Sequence, residues 1–252
     1  MNHSTQRALS KVPEVTLVFW LIKIAATTLG ETAGDAVSMS MNLGYLVGTL
    51  IFAAIFIVAV IAQIKAKAFH PFLYWATIIA TTTVGTTLAD FADRSLGIDY
   101  AGGSTLLFIL LMASLFVWHR SMGTINVADI QTPKAEMFYW TTIMFSQTLG
   151  TALGDWTADT AGMGYSVSAM LFGGLLVLLV MAYYWTKVSR TLLFWAAFIL
   201  TRPLGAVLGD FLDKPLAKGG LELSRYSISA LLLVVIVMGI VLFKQKAAER
   251  AH

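Results

Sequence analysis

The sequence predicts an all-α polytopic membrane protein with eight transmembrane helices. Three observations carry this. Hydrophobic residues make up 58% of the 252-residue chain and charged residues 12%, about half the charged share of an ordinary soluble domain. Apolar runs of near-spanning length recur from end to end, with a mean hydropathy of +0.76. Their periodicity is helical, and in hydrocarbon each backbone group must be bonded internally, so these segments read as helices rather than barrel strands.

The first predicted span covers residues 15–37. It follows a polar stretch and contains Lys23, Glu31 and Asp35, so it reads as a retained helix, not a cleaved signal peptide. The second, 43–64, includes the apolar run GTLIFAAIFIVAVIA over 48–62. The remaining spans are predicted at 71–92, 101–118, 137–158, 164–185, 191–212 and 226–243. Even-numbered spans are almost purely apolar, whereas odd-numbered spans carry the polar residues.

The odd spans are copies of one another. Each opens with an aromatic–Trp pair: Phe19–Trp20, Tyr74–Trp75, Tyr139–Trp140 and Phe194–Trp195. Ten residues after each Trp stands a glycine (Gly30, Gly85, Gly150, Gly205), and fifteen residues after it an aspartate (Asp35, Asp90, Asp155, Asp210). Successive Trp residues are 55, 65 and 55 residues apart, so the repeat is a two-helix unit. The ten additional residues fall in a linker, 120–136. That linker divides the chain into a first four-helix half, 1–119, and a second, 137–252. Units one and three share Gly44–Tyr45 and Gly164–Tyr165, while units two and four share Asp-Phe-x-Asp followed by a cation, Arg94 or Lys214. The order is therefore A-B-A-B. Each unit crosses twice, so all four run in the same orientation, a parallel repeat.

Loop cations orient the spans. Arg7, Lys11, Lys65, Lys67, Arg120, Lys134, Lys187, Arg190, Lys244, Lys246 and Arg250 lie on the side of the termini, against Arg94, Lys214, Lys218 and Arg225 on the other. By the positive-inside rule both termini are cytoplasmic. The four repeat Trp residues then lie near the cytoplasmic face, where they read as an interfacial belt, with a gate as the sharper alternative. Four tandem units with a Trp and a Gly…Asp signature resemble a bacterial four-fold repeat family of integral membrane proteins of unknown function, described as uncharacterised membrane-anchored proteins. The resemblance covers essentially the whole chain. It implies this fold and a location in the bacterial inner membrane, and carries no reaction.

On a helical wheel, positions +7, +11, +15 and +18 from each Trp fall within about 80° of one another. They are Thr27, Glu31, Asp35 and Ser38 in unit one, with Lys23 beside them. Unit two gives Thr82, Thr86, Asp90 and Asp93; unit three gives Gln147, Thr151 and Asp155, with Asp159 next to the stripe; unit four gives Arg202, Ala206, Asp210 and Asp213. Four polar stripes can all be buried only if the odd helices form an inner group shielded by the even ones. The pairs Gly30/Gly34, Gly150/Gly154 and Gly205/Gly209, with Gly85/Ala89 as the near equivalent, suit close helix packing. Pro203 removes one N–H and frees the carbonyl of Ile199, predicting a kink in the seventh helix.

The inner carboxylates carry the functional expectation. An acid at a helix centre costs ~2.5–3.5 kcal/mol on insertion scales, so eight of them against four cations (Lys23, Arg202, Arg94, Lys214) need protons or a metal as offset. Structural hydrogen bonding or pairing of the aspartates with Arg94 and Lys214 is the plainer alternative. The candidate metal ligands are Glu31, Asp35, Asp90, Asp155 and Asp210, with Asp93, Asp159, Asp213, Thr27, Thr82, Thr86, Gln147 and Thr151 completing the cation path. Lys23 and Arg202 are candidates for charge pairing with Glu31 and for gating. The set is oxygen-only, because the chain has no cysteine and its histidines (His3, His70, His119, His252) sit at ends or loops. Oxygen ligands favour Mn2+, Mg2+ or Ca2+ over zinc or copper. The expected function is transport of a small cation, open to proton coupling. The expected partners are the bilayer, the cation and protons, with no nucleic acid and no covalent cofactor. A metal-dependent membrane enzyme is the alternative, weakened by the absence of HExxH, GxSxG and histidine clusters. A structural or sensor module is the other, weakened by the short loops.

Overall fold

The structure, a computed structural model, describes residues 10–248. Arg7 and Arg250 of the charge count, and His3 and His252, lie outside the described residues. The chain is all-helical. Its long helices are α1 (Leu17–Asp35), α2 (Gly44–Lys65), α3 (Pro71–Asp90), α4 (Tyr100–Met122), α5 (Pro133–Asp155), α6 (Gly164–Trp185), α7 (Arg190–Asp213) and α8 (Arg225–Leu242). Seven are long and apolar enough to cross a membrane; α5, polar at Lys134, Glu136, Ser146 and Gln147, is the exception.

Local chemistry sets the ends. The Thr16 hydroxyl accepts from the Phe19 N–H at the start of α1, and Asp99 accepts from Gly102 N–H at the start of α4. The largest departures from the predicted bounds have the same origin. α5 begins at Pro133 rather than 137, because Thr132 caps it and proline suits the first helical position. α4 continues to Met122 rather than 118, until Gly123 turns left-handed at φ 75°. Directly after Asp35, Asp90 and Asp155 the helices widen into single π-helical turns, Ala36–Ser40, Phe91–Ser95 and Trp156–Thr160. Unit four departs here. Pro215 disfavours a helical conformation at Lys214, which is extended (φ −73°, ψ 155°), so α7 stays α-helical to Asp213 and then stops. α7 also runs unbroken through Pro203.

The four odd helices form a closed ring in which α1 packs on α3, α3 on α5, α5 on α7 and α7 back on α1. The even helices form an outer layer: α2 lies on α3, α4 on α5, α6 on α7 and α8 on α1. Each outer helix thus covers the odd helix of the following unit rather than its own. In the apolar windows, 61–72% of residues in α1, α3 and α7 are buried, against 11–17% in α2, α4, α6 and α8. The outer layer turns large apolar side chains such as Ile55, Phe116, Leu178 and Val234 outward.

The repeated glycines explain the ring. A methyl group at Gly30 would collide with Thr82, one at Gly150 with Arg202, and one at Gly205 with Thr27. At Gly85 it would come 3.0 Å from the backbone of Gln147. Four residues on, a methyl at Gly34 would meet Thr86, at Gly154 Ala206 and at Gly209 Glu31. So the glycine pairs of units one, three and four seat the +7 and +11 residues of the next unit, unit four seating unit one, and Gly85 of unit two seats Gln147 at +7. Close approach also lets side chains bond across seams: the Thr82 hydroxyl donates to the Ala26 carbonyl at 3.3 Å, and that of Thr27 to the Thr201 carbonyl at 3.2 Å.

Aromatic residues close one end of the ring by the same cyclic rule. Phe19 packs on Trp75 (centroids 5.3 Å apart), Tyr74 on Trp140 (5.8 Å), Tyr139 on Trp195 (6.2 Å) and Phe194 on Trp20 (5.8 Å). Trp75, Trp140 and Trp195 are 1–2% exposed, so they are ring-closing core residues and not an interfacial belt. Side-chain packing between neighbouring units outweighed the interfacial preference of the indole. The linker backs this layer, with Val127 and Ile130 in the same core and the Ile125 carbonyl accepting from the Trp195 indole at 3.0 Å. The two chain ends also meet here, through an antiparallel bridge between Pro13 and Ala247.

The seating arrangement predicts unequal glycine substitutions. Gly150→Ala drives a methyl into Arg202 and should cost about 1–3 kcal/mol. Gly173→Ala, on outer helix α6 with nothing within 4 Å, should be neutral or slightly stabilising. Thermal unfolding in detergent checks both; equal effects would contradict the seating.

Candidate functional site: a buried carboxylate cluster

Inside the ring, side chains stack in rungs. At +3 stand Lys23, Ile78, Ile143 and Phe198, all fully buried. At +7 stand Thr27, Thr82, Gln147 and Arg202, and at +11 Glu31, Thr86, Thr151 and Ala206, again all buried. At +15 Asp35, Asp90, Asp155 and Asp210 are at most 2% exposed.

Arg202 organises the middle. From its +7 position, one guanidinium nitrogen, Nη2, shares its two hydrogens among three acceptors, Glu31 Oε2 at 2.9 Å, Thr86 Oγ1 at 2.6 Å and Thr151 Oγ1. Glu31 therefore pairs with Arg202, and Lys23 does not reach it. The Lys23 ammonium lies 4.2 Å from the centre of the Phe198 ring instead. The hydroxyls of Thr27 and Thr82 are taken up by backbone carbonyls, while both polar atoms of the Gln147 amide have no partner.

At the aspartate end, cations of units two and four bridge neighbouring units. Arg94 Nε lies 3.1 Å from Asp90 and its Nη2 4.0 Å from Asp155. Lys214 Nζ lies 3.0 Å from Asp210 and 2.5 Å from Asp35. Burial opposes a charge on Lys214, but Asp210, Asp35 and Asp213 outweigh it and hold the ammonium well above the usual lysine range. Arg225 adds a bond of 2.5 Å to Asp213 and lies 3.7 Å from Asp35. Its position after the longest far-side loop gave no signal in the repeat pattern. Tyr45, whose hydroxyl accepts from Arg94 at 3.0 Å, was visible only as part of the shared Gly–Tyr pair.

These pairings leave a remainder. Oxygens of Glu31, Asp155 and Asp210 lie within 4.8 Å of one another, all buried, and those of Asp35, Asp210 and Asp213 form a second such group. Lys214 and Arg225 occupy the second group. In the first, both oxygens of Asp155 lack a hydrogen-bond partner, and its nearest cation is Arg94 at 4.0 Å. At 4.8 Å and an effective dielectric of about 20, each pair of charged carboxylates repels by about 3.5 kcal/mol. Arg202 at 2.9 Å offsets the charge of Glu31 and Lys214 at 3.0 Å that of Asp210, so Asp155 is the member that needs an ion or a proton, and an all-oxygen set of this kind fits a hard divalent cation. Asp93 is half-buried and Asp159 exposed, accepting only from the Tyr165 hydroxyl at 3.4 Å. Neither of these two joins the cluster.

Fold and site together define an all-helical four-repeat protein with a buried, partly unpaired carboxylate cluster. A family model described as Repeat of Unknown Function (DUF347) matches residues 18–69, 73–124, 138–189 and 193–250, and the chain belongs to that family. Neither curated proteins nor solved structures provide a match.

The Glu31–Arg202 pair yields a coupling prediction. Arg202→Met leaves Glu31 buried and unpaired and should cost about 3–5 kcal/mol. Adding Glu31→Gln should recover part of that loss. Unfolding midpoints of the two single variants and the double variant check it; additive losses would mean the two residues are not coupled.

Proposed function

We propose that this protein spans the inner membrane of a bacterium eight times, in A-B-A-B order with both termini cytoplasmic, and carries a small cation across it. The observation that supports this most is the cluster of Glu31, Asp155 and Asp210, three buried carboxylates within ligating reach of one another. Oxygen-only ligands favour Mn2+, Mg2+ or Ca2+, and the same oxygens can hold protons when the cation leaves, which allows exchange for H+. Access from the aspartate end is the simplest route, because Arg94 there is the most exposed of the paired cations, at 29% of its side chain. The other end is packed shut by aromatic residues, so passage requires the ring to rearrange, as in a carrier rather than an open channel. The Glu31–Arg202 pair suits gating: a cation taking Glu31 as ligand displaces the guanidinium. The two Arg94 and Lys214 bridges suit fixed walls at the mouth.

Uptake of Mn2+, Mg2+ and Ca2+ into liposomes containing the purified protein tests this reading. Uptake of at least one ion should exceed that of empty liposomes. Asp155→Asn and Glu31→Gln should each lower it by about tenfold or more, the cost of one lost charged ligand. Uptake that neither substitution changes would overturn the proposal.

A further inference from the structure

The outer layer is not equally tight over every seam. In units two and three an aromatic residue stands 43 positions after the repeat Trp, near the end of the outer helix: Trp118 in α4 and Tyr183 in α6. α4 lies on α5, and its Trp118 reaches across to α7, packing on Tyr139 (centroids 6.3 Å apart) and on Trp195 (5.7 Å). α6 lies on α7 in the same way, so the repeat calls for Tyr183 to pack on Phe194 and Trp20. It turns outward instead, 40% exposed, with the Arg190 guanidinium 4.1 Å from the centre of its ring. The place it leaves is a cavity of about 390 Å³ between α1, α6 and α7, lined by Trp20, Leu21, Ile24, Leu176, Phe194 and Ala197. Trp20 is accordingly half-buried, whereas the other three repeat Trp residues are 1–2% exposed. Leu17, Leu21 and Tyr184 at the rim are 59–75% exposed, so the cavity opens outward through the outer layer.

An occupant must match both parts of this cavity. Its walls are apolar, and its size is that of an ordinary small-molecule site. Arg190 stands at one end and pairs with no carboxylate among the described residues; its hydrogen bond goes to the Tyr183 carbonyl. No side chain caps the start of α7 at Ser189, so the N–H groups of its first turn add to the attraction for an anion. By the loop-cation count this end faces the cytoplasm, the side on which bilayers carry anionic lipid. From this geometry we infer a binding site for an anionic phospholipid, with one acyl chain in the cavity and the phosphate on Arg190. A free phosphate would leave the apolar walls unfilled, and a zwitterionic lipid would leave the Arg190 charge without net compensation. The bound chain would brace the seam at which unit four meets unit one, since the cavity reaches Thr201, whose carbonyl accepts from Thr27. The inference rests on the membrane-spanning reading and not on cation transport.

Dioctanoyl phosphatidylglycerol and dioctanoyl phosphatidylcholine are the probes, titrated into the delipidated full-length protein in neutral detergent. The unfolding midpoint should rise saturably with phosphatidylglycerol, and phosphatidylcholine should need about tenfold higher concentration or more for the same rise. Arg190→Gln should weaken the phosphatidylglycerol response by about tenfold or more, the cost of one charge-assisted hydrogen bond. Ala197→Phe, which fills the cavity, should remove the response to both lipids. Asp155→Asn, in the carboxylate cluster, should leave the lipid response in place even where it abolishes cation uptake. A wild-type protein with no saturable response, or with equal responses to the two lipids, overturns the inference. So does a response unchanged in Arg190→Gln or in a folded Ala197→Phe; if Ala197→Phe does not fold, Arg190→Gln alone decides. Release of the expressed protein from membranes by alkaline carbonate would refute the spanning reading, and the inference with it.

Discussion

Four inner helices approach so closely that a methyl group at Gly30, Gly150 or Gly205 would collide with the next helix, and the remaining features depend on that approach. The glycine pairs of α1, α5 and α7 receive the +7 and +11 side chains of the next inner helix, Gly205 and Gly209 of α7 receiving Thr27 and Glu31 of α1. A seam of this kind extended indefinitely would make an open array; closing it after four units makes a ring. The ring turns four polar stripes onto one axis, where neither lipid nor bulk water reaches them. The outer helices complete it by lying over the following seam, so each repeat is tied to its neighbour by both of its helices.

Burial on that axis makes charge the next constraint. Each charge there must meet a partner, because an unpaired one costs several kcal/mol. The framework rung of aspartates meets this at three of four positions, with Arg94 on Asp90 and Lys214 between Asp210 and Asp35, while Asp155 stands 4.0 Å from Arg94 with both oxygens unbonded. The rungs below are asymmetric: one glutamate, one arginine and one lysine stand among threonines, isoleucines and a glutamine. A ring built only for packing has no need of that asymmetry. It places an acidic group under the mouth and a basic group beneath it, held apart by the Glu31–Arg202 contact, which joins one member of each.

Much of this was legible in the chain. The unbroken Trp–Gly–Asp spacing marked the four units, and the stripe positions marked the buried faces. Other features depend on which unit meets which, and spacing within one unit carries no such information. The repeat predicted even helices shielding odd ones but not which shields which, and it is the packing between units that places α2 over α3. The same neighbour contacts bury Trp75, Trp140 and Trp195, whose place near a predicted span end suggested an interface. Glu31 had two possible partners; the reach of Arg202 upward from +7 and the location of Lys23 two rungs below chose between them. The three π-helical turns after the aspartates have no sequence signature that we recognise, while Pro215 accounts for the missing fourth.

The centre of this account is that Glu31, Asp155 and Asp210 jointly hold a hard cation inside the ring. The most direct measurement is the anomalous scattering of manganese in crystals of the protein grown with Mn2+. The account predicts a peak among the three carboxylates, about 2.0–2.6 Å from an oxygen of each. Its contradiction would be crystals saturated with Mn2+ in which this position is vacant and the three carboxylates are bonded only to one another and to Arg94, Lys214 and Arg202.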